Sequence, residues 1–276
     1  MPSTITDLSK LCIHTQTTKP WSLQQCAENY SKAGVKNITV WRNALEGLKL
    51  TEARKILDDN AMQVVSLCRG GFFTSVDEKQ RQAAYDDNLL AIEQAAAIGA
   101  PLVVLVCGAD GRQTLQANRQ QIQEAIISLL PVARDAGVNL AIEPLHPMYA
   151  GDRSAVNTLK QANDMAVAIN SPYVGVAVDV YHLWWDDVLA FEIKRCGANG
   201  HLFAFHICDW KTPTSDFLLD RGLMGEGCIN IKQIREWVEE TGFNSYNEVE
   251  IFSSAYWQQN QHDYLQKIIH AYLHHS

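Results

Sequence analysis

No stretch of the 276 residues approaches the ~20 consecutive apolar positions that a membrane-spanning helix needs. Met1 to Lys10 also lacks the basic start and apolar core of a secretory signal, so the chain reads as cytosolic, with no membrane partner. Cysteine is present without pattern. The seven residues at 12, 26, 68, 107, 196, 208 and 228 contain no C-x-x-C pair and signal neither a disulfide framework nor a zinc-thiolate knuckle. They read as buried, reduced thiols. Basic residues are in deficit, 23 Lys and Arg against 31 Asp and Glu for a net charge of -8, and a phosphate backbone would meet a repulsive mean field. Nucleic acid is therefore not an expected partner. A Ser/Pro/Gly-rich linker, a low-complexity tract and a shift of composition are all missing. The balance of 47% apolar and 20% charged residues excludes disorder and collagen-like structure.

What the chain does have is alternation. Short β-branched runs at Leu11–His14, Asn37–Trp41, Gln63–Cys68, Leu102–Cys107, Val138–Glu143, Val174–Asp179, Leu202–Ile207 and Tyr246–Ile251 read as eight strands. Amphipathic stretches follow each of them, at Leu23–Ala33, Ala44–Asp59, Asp77–Ile98, Thr114–Ala136, Ala155–Ile169, Asp187–Cys196, Ile231–Thr241 and Trp257–Leu273. Gly34, Gly99, Gly137 and Gly242 sit just after helical stretches, where a left-handed cap favours glycine. A length prior of ~150 residues per domain suggests two domains, but (β/α)8 barrels of ~250 residues are single units. The regular repeat predicts one closed (β/α)8 barrel of class α/β, with a doubly wound open sheet as the competing arrangement.

In such a barrel the active site is built at the C-terminal strand ends and the loops after them. The strand ends read Ile13-His14, Val40-Trp41-Arg42, Leu67-Cys68-Arg69, Ile142-Glu143-Pro144, Val178-Asp179, Phe205-His206 and Val249-Glu250, each polar group closing an apolar run. Alternation puts Ala141, Ala177 and Ala204 on the interior face shared by Glu143, Asp179 and His206, and turns Ile142, Val178 and Phe205 toward the helices. Glu143, Asp179, His206 and Glu250 fall on strands five to eight and are expected to converge on one arc of the mouth. Three carboxylates and an imidazole suit one divalent ion, Mn²⁺, Mg²⁺, Co²⁺ or Zn²⁺. Taken singly, each is equally a candidate for a salt-bridged strand end. Glu248 shares the interior parity of Glu250 one layer deeper and is expected to be a buried partner of a mouth cation.

Read in order, Ala-Ile-Glu143-Pro, Asp179-Val-Tyr-His182, Phe-His206-Ile-Cys-Asp209, the Gly225-Glu-Gly227 loop and Val-Glu250-Ile-Phe252 form a specific set at one-strand intervals. This set resembles the xylose isomerase-like TIM barrels of the sugar phosphate isomerase/epimerase and endonuclease IV superfamily, which includes AP endonuclease family 2. The resemblance runs the whole chain, is strongest from 138 to 254, and implies a single TIM-barrel domain over residues 1–276. In relatives that epimerise ketoses, the glutamates matching Glu143 and Glu250 share one divalent metal with the matching Asp and His and act as the catalytic acid/base pair. Positions matching His182, Asp209 and Arg221 contact or orient substrate there. Relatives often pair barrels, which implies a homo-oligomer. The DNA-repair branch carries further histidines at the ends of strands three and four, where this chain has Cys68-Arg69 and Cys107-Gly108. That departure also argues against DNA.

Arg69, Arg42 and Arg221 are candidates to hold a phosphate or carboxylate bidentately, with structural pairing to Asp or Glu as the competing role. His14, at the first strand end, joins Arg69, His182, Asp209 and Arg221 in the expected substrate-binding set. His146 sits in a stiff proline-flanked loop, where substrate contact and loop structure are equally expected. The chemistry these groups suit is proton transfer beside a carbonyl in a small sugar or sugar derivative. An α-C–H is a very weak acid, and a divalent cation stabilises the anion it leaves by several kcal/mol, while a positioned carboxylate adds ~10²–10⁴-fold as general base. Isomerisation, C3-type epimerisation and dehydration of a keto-polyol all begin this way and stay open. A non-catalytic sugar-binding barrel is the reading from another class.

Overall fold

The apolar runs pair in register because β-branched residues pack on both faces of a buried parallel sheet. In the computed structural model, which describes residues 5–276, they form β1 (Leu11–His14), β2 (Asn37–Trp41), β3 (Gln63–Gly71), β4 (Leu102–Val106), β5 (Asn139–Glu143), β6 (Val174–Asp179) and β7 (Leu202–Ile207). A short antiparallel hairpin, β8 (Asp209–Trp210) and β9 (Arg221–Gly222), precedes the last barrel strand, β10 (Asn247–Val249). Parallel pairing runs from β1 through β7 in sequence, then to β10 and back to β1, closing the expected (β/α)8 barrel. The helices are α1 (Leu23–Lys32), α2 (Leu50–Asp59), α3 (Glu78–Ile98), α4 (Leu115–Ala136), α5 (Leu159–Ile169), α6 (Val180–Leu183), α7 (Leu189–Ala198), α8 (Ile231–Glu240), α9 (Ser254–Trp257) and α10 (Gln261–His275). Among the described residues, no helix is long and apolar enough to cross a membrane.

Strand alternation divides the apolar residues into two cores. Ile13, Ile38, Leu67, Leu105, Ile142, Val178 and Phe205 pack outward in the layer beneath the helices. Cys68, Leu102, Val104, Ala141, Ala177 and Ala204 fill the barrel interior. The three alanines are small enough to leave room above them for the polar strand ends. The four glycines expected at helix ends all have positive φ, and Gly99 and Gly137 close the two long helices α3 and α4 in the left-handed conformation.

The boundaries differ from the sequence pattern where loops make their own contacts. The stretch Ala44–Asp59 is a 3-10 turn (Arg42–Leu45) followed by α2, broken at Gly47 with φ 78°. The helix expected from Ala155 begins at Leu159 under a Thr158 cap, because Ala155 donates its backbone N–H to Gly108 at 3.0 Å. The strand expected over Tyr246–Ile251 is only Asn247–Val249, so Glu250 stands just past it, its N–H donating to the Ile207 carbonyl at 3.2 Å. β3 runs on beyond Cys68 to Gly71, whose φ of 109° and close approach to the Val106 carbonyl leave no space for a Cβ. That glycine serves strand pairing.

Candidate metal centre and substrate cavity

Glu143 and Asp179 are the last residues of β5 and β6, His206 stands beside Asp179 in the register of β6 and β7, and Glu250 follows β10. One ligand atom from each of these four side chains lies within 4.8 Å of the other three, and all four are buried. His206 Nδ1 approaches Glu143 Oε1 to 3.1 Å, yet neither atom has a hydrogen-bond partner, and His206 Nε2 also lacks one. Unpaired buried polar atoms cost about 1–3 kcal/mol each, so convergent lone pairs of this kind mark a site for a shared partner. The donor set fits one divalent cation. Electrostatics agree: burial pushes the Asp179 carboxyl up to about 7, with Glu250 and Glu143 adding to the shift against the opposing Arg221. Burial disfavours charge on His206, but the Glu143, Glu248 and Glu250 carboxylates outweigh it and raise the imidazole to about 10. The cluster is short of positive charge.

Arg221 supplies some of it. From the first residue of β9, its Nη1 donates to Glu250 Oε2 at 2.8 Å and to Asp179 Oδ2 at 3.2 Å. Burial would raise the Glu250 carboxyl, but Arg221 and His14 hold it well below the usual range. Arg221 Nη2 donates to His182 Nε2 at 3.3 Å, which leaves the ring proton of a neutral His182 on Nδ1. Burial, then Arg221, push the His182 pKa well down, so the ring is neutral. His182 Nδ1 and Arg221 Nε are both buried without partners. They belong to residues lining a cavity of about 150 Å³ with Glu143 and Glu250, and Trp41, Leu145, Leu218 and Phe252 form its apolar wall. Such a volume is of the size of a small molecule.

Against known proteins, the profile of the family described as xylose isomerase-like TIM barrel matches residues 27–270. The chain belongs to this family. It is 24% identical over 259 residues to an inosose isomerase from Halalkalibacterium halodurans, covering 90% of each chain. It is 42% identical to protein SMc04130 from Sinorhizobium meliloti 1021, whose crystal structure superposes with a TM-score of 0.93 over 96% of this chain and 98% of that one. The IolI protein, solved with a binding zinc atom, is 22% identical with a TM-score of 0.83 over 96% of both chains.

In this xylose isomerase-like barrel, Arg69, His182 and Arg221 line the cavity, whereas two other expected substrate contacts lie elsewhere. Asp209 lies outside that lining: its carboxylate accepts backbone N–H groups from Trp210, Gly225, Gly227 and Ile229 at 2.8–3.0 Å and ties down the Gly225–Gly227 loop. His14, also outside the lining, is fully buried at the level of Glu250; Trp41 Nε1 donates to its Nδ1 at 3.1 Å, and its Nε2 faces Glu248 Oε2 at 3.3 Å. Its Nδ1 is also 3.2 Å from Glu250 Oε1. Glu248 is buried as expected, but its closest partners are the Thr39 and Ser66 hydroxyls at 2.6 and 3.0 Å, and Arg221 pairs Glu250 instead. Arg42 is taken up bidentately by Asp87, both bonds 2.7 Å. His146 accepts the Met148 N–H within its own loop. Of the cavity residues that strand-end reading missed, Arg153, Leu218 and Phe252 lie on loops and Tyr149 ends the 3-10 turn Pro147–Tyr149. Only a count of unpaired arginines in the loop after β5 would have singled out Arg153.

Proposed function

We propose that this barrel is a divalent-metal-dependent isomerase or epimerase of a small sugar or sugar derivative, working by proton transfer at the carbon next to a carbonyl. The observation that carries the reading is the convergence of four buried groups, with unpartnered atoms on Glu143 and His206, at the edge of a cavity that also presents two unpartnered buried donors. Similarity to inosose isomerases supports the reaction class.

Glu143, Asp179, His206 and Glu250 would hold the cation. When bound, the ion supplies Lewis-acid stabilisation of the negative charge that develops on the substrate as the proton leaves. Glu250, kept ionised by Arg221 and His14, is a carboxylate at rest and accepts a proton from substrate. Glu143, on β5, would enter the cycle protonated and deliver its proton to the substrate anion, and both glutamates would then re-equilibrate with solvent before the next turnover. Transfer between two carboxylates on different strands permits removal on one face and delivery on the other, which is epimerisation; return to the neighbouring carbon is isomerisation. The neutral His182 Nδ1–H and Arg221 Nε–H donate to substrate hydroxyl or carbonyl oxygens and orient the reacting carbon between the glutamates. Trp41, Leu145 and Phe252 would form the apolar wall against which the substrate carbon skeleton packs.

The test is a panel of ketoses, aldoses, their phosphates and keto-inositols with added Mn²⁺, read by NMR in D₂O. Deuterium at the carbon next to the carbonyl of the product is the expected result. Turnover without deuterium, together with near-normal rates in E143Q and E250Q, overturns the proton-transfer reading.

A further inference from the structure

Arg69 and Arg153 line the cavity that Glu143, Glu250 and Arg221 also line. Arg42, a few ångströms away on the rim, has the partners expected of a partly buried arginine: Asp87 and Gln94, all at 2.7 Å. Arg69 and Arg153 have none. Neither guanidinium has a hydrogen-bond or ion-pair partner among the described residues, and Asp87, the nearest carboxylate to act on Arg69, is already bound to Arg42. Both are half-buried.

They are nonetheless held in place. The Arg69 guanidinium lies over the Phe72 ring at 4.1 Å and that of Arg153 over Tyr149 at 5.3 Å. Tyr149 is fixed by its hydroxyl, which donates to the Phe217 carbonyl at 3.0 Å. The Arg153 backbone is pinned by Gly108, whose N–H donates to the Arg153 carbonyl at 2.8 Å. Stacking occupies the guanidinium face and leaves the edge N–H groups free for a planar or tetrahedral oxyanion. Burial first, and then the charge of Arg153, lower the Arg69 pKa, as expected of two cations sharing a cleft without a counterion. The charge balance points the same way. A divalent ion and Arg221 would neutralise Glu143, Asp179 and Glu250, leaving Arg69 and Arg153 as surplus positive charge inside a chain of net charge -8. Partly buried charges are ordinarily paired, and the missing pair here is a ligand.

We infer that Arg69 and Arg153 form an anion subsite, so that the substrate carries a phosphate or carboxylate at the end remote from the reacting carbonyl. This rests on the proposed isomerase or epimerase reading for the location of the carbonyl, but the subsite itself can be tested without turnover.

The experiment is calorimetric titration of the metal-loaded protein with inorganic phosphate, D-fructose 6-phosphate, 5-keto-D-gluconate and D-fructose, in wild type, R69Q, R153Q and the double variant. R134Q serves as the control, because Arg134 is exposed on α4, pairs with Asp135 and does not line the cavity. Circular dichroism establishes that each variant is folded. Wild type should bind one or both of the anionic sugars at least tenfold more tightly than D-fructose. Each single cavity variant should weaken anion binding by roughly tenfold and the double variant by a hundredfold, as for charge-assisted bidentate bonds, with R134Q within threefold of wild type. The phosphate or the carboxylate arm, whichever binds more tightly, identifies the anion. Equal affinity for D-fructose and its charged counterparts, or anion binding that R69Q and R153Q leave intact, overturns the subsite. Deuterium incorporation into a neutral ketose together with that result would sink the subsite while the reaction class stands. Arginine-dependent anion binding without any exchange would do the reverse.

Discussion

Glu248 and Glu250 are two residues apart on one edge of the barrel, both buried and both facing its interior, and they belong to different worlds. In the deeper layer, Glu248 receives the hydroxyls of Thr39 and Ser66 from β2 and β3 and faces His14 on β1, so the fold itself satisfies it. In the mouth layer, Glu250 joins Asp179, His206 and Glu143 in a cluster where both His206 ring nitrogens and one Glu143 carboxylate oxygen lack a hydrogen-bond partner. The same contrast recurs on the rim, where Arg42 is paired and Arg69 and Arg153 are not. Burial and residue type do not separate these two layers. The unpaired atoms of His206 and Glu143 do.

The largest expected effect comes from breaking the mouth layer. E143Q and E250Q keep an oxygen ligand and remove the base, so turnover should fall by at least ~10²-fold while part of the metal affinity survives. D179A and H206A remove a ligand outright, and elemental analysis of the folded proteins should show the metal content collapse. A full complement of metal in both alanine variants would mean that the four groups are not the ligand set.

The deeper layer should respond in the opposite currency. E248Q substitutes an amide N–H group for one acceptor oxygen facing two hydroxyls and a ring, leaving mismatched buried donors at a cost of about 1–3 kcal/mol. Urea denaturation should record that loss, and metal content should stay near wild type. If E248Q unfolds no more easily but loses its metal, the two layers are one functional unit and the contrast fails.

Much of this was legible in the sequence because the physics is local. Alternation of two-residue period fixes which residues face the interior, and it assigned Ala141, Ala177 and Ala204 beneath Glu143, Asp179 and His206 correctly. The eight strands and their order followed from the repeat, since parallel strands joined by helices have few ways to close. What was not legible depends on loops. Asp209 has the strand-end position and residue type of a substrate contact, and only the fold reveals the four backbone N–H groups it collects from a loop up to twenty residues further on. Arg153 lies ten residues past Glu143 in a loop whose path is set by pairing with Gly108, a long-range contact that no periodicity encodes. His14 does end a strand, but the sequence does not show that Trp41 and Glu248 take up its two nitrogens beside Glu250.

The smallest effect sharpens the comparison on the rim. The Arg42–Asp87 pair is bidentate, with the Asp87 side chain 54% exposed, so solvent screens it and D87N should cost no more than about 1 kcal/mol at neutral pH. The sign of its pH dependence follows from Arg42, which holds the Asp87 carboxyl below its ordinary 3.8 against the opposing effect of burial. A carboxyl whose pKa is lower in the folded state binds its proton more readily when unfolded, so the pair stabilises the fold above the unfolded pKa of about 3.9 and the contribution fades as pH falls through the folded value. Denaturation of wild type and D87N should therefore differ by a constant amount between about pH 5 and 8, converge below about pH 4, and differ less in high salt. D87N also frees the Arg42 guanidinium beside Arg69, adding a third unpaired cation to the rim. If Arg69 and Arg153 already serve an anion, inorganic phosphate should bind D87N somewhat more tightly than wild type, a change of a few-fold by calorimetry. Unchanged phosphate affinity with the stability difference present would mean that pairing on the rim is purely structural and that unpaired arginines there recruit nothing.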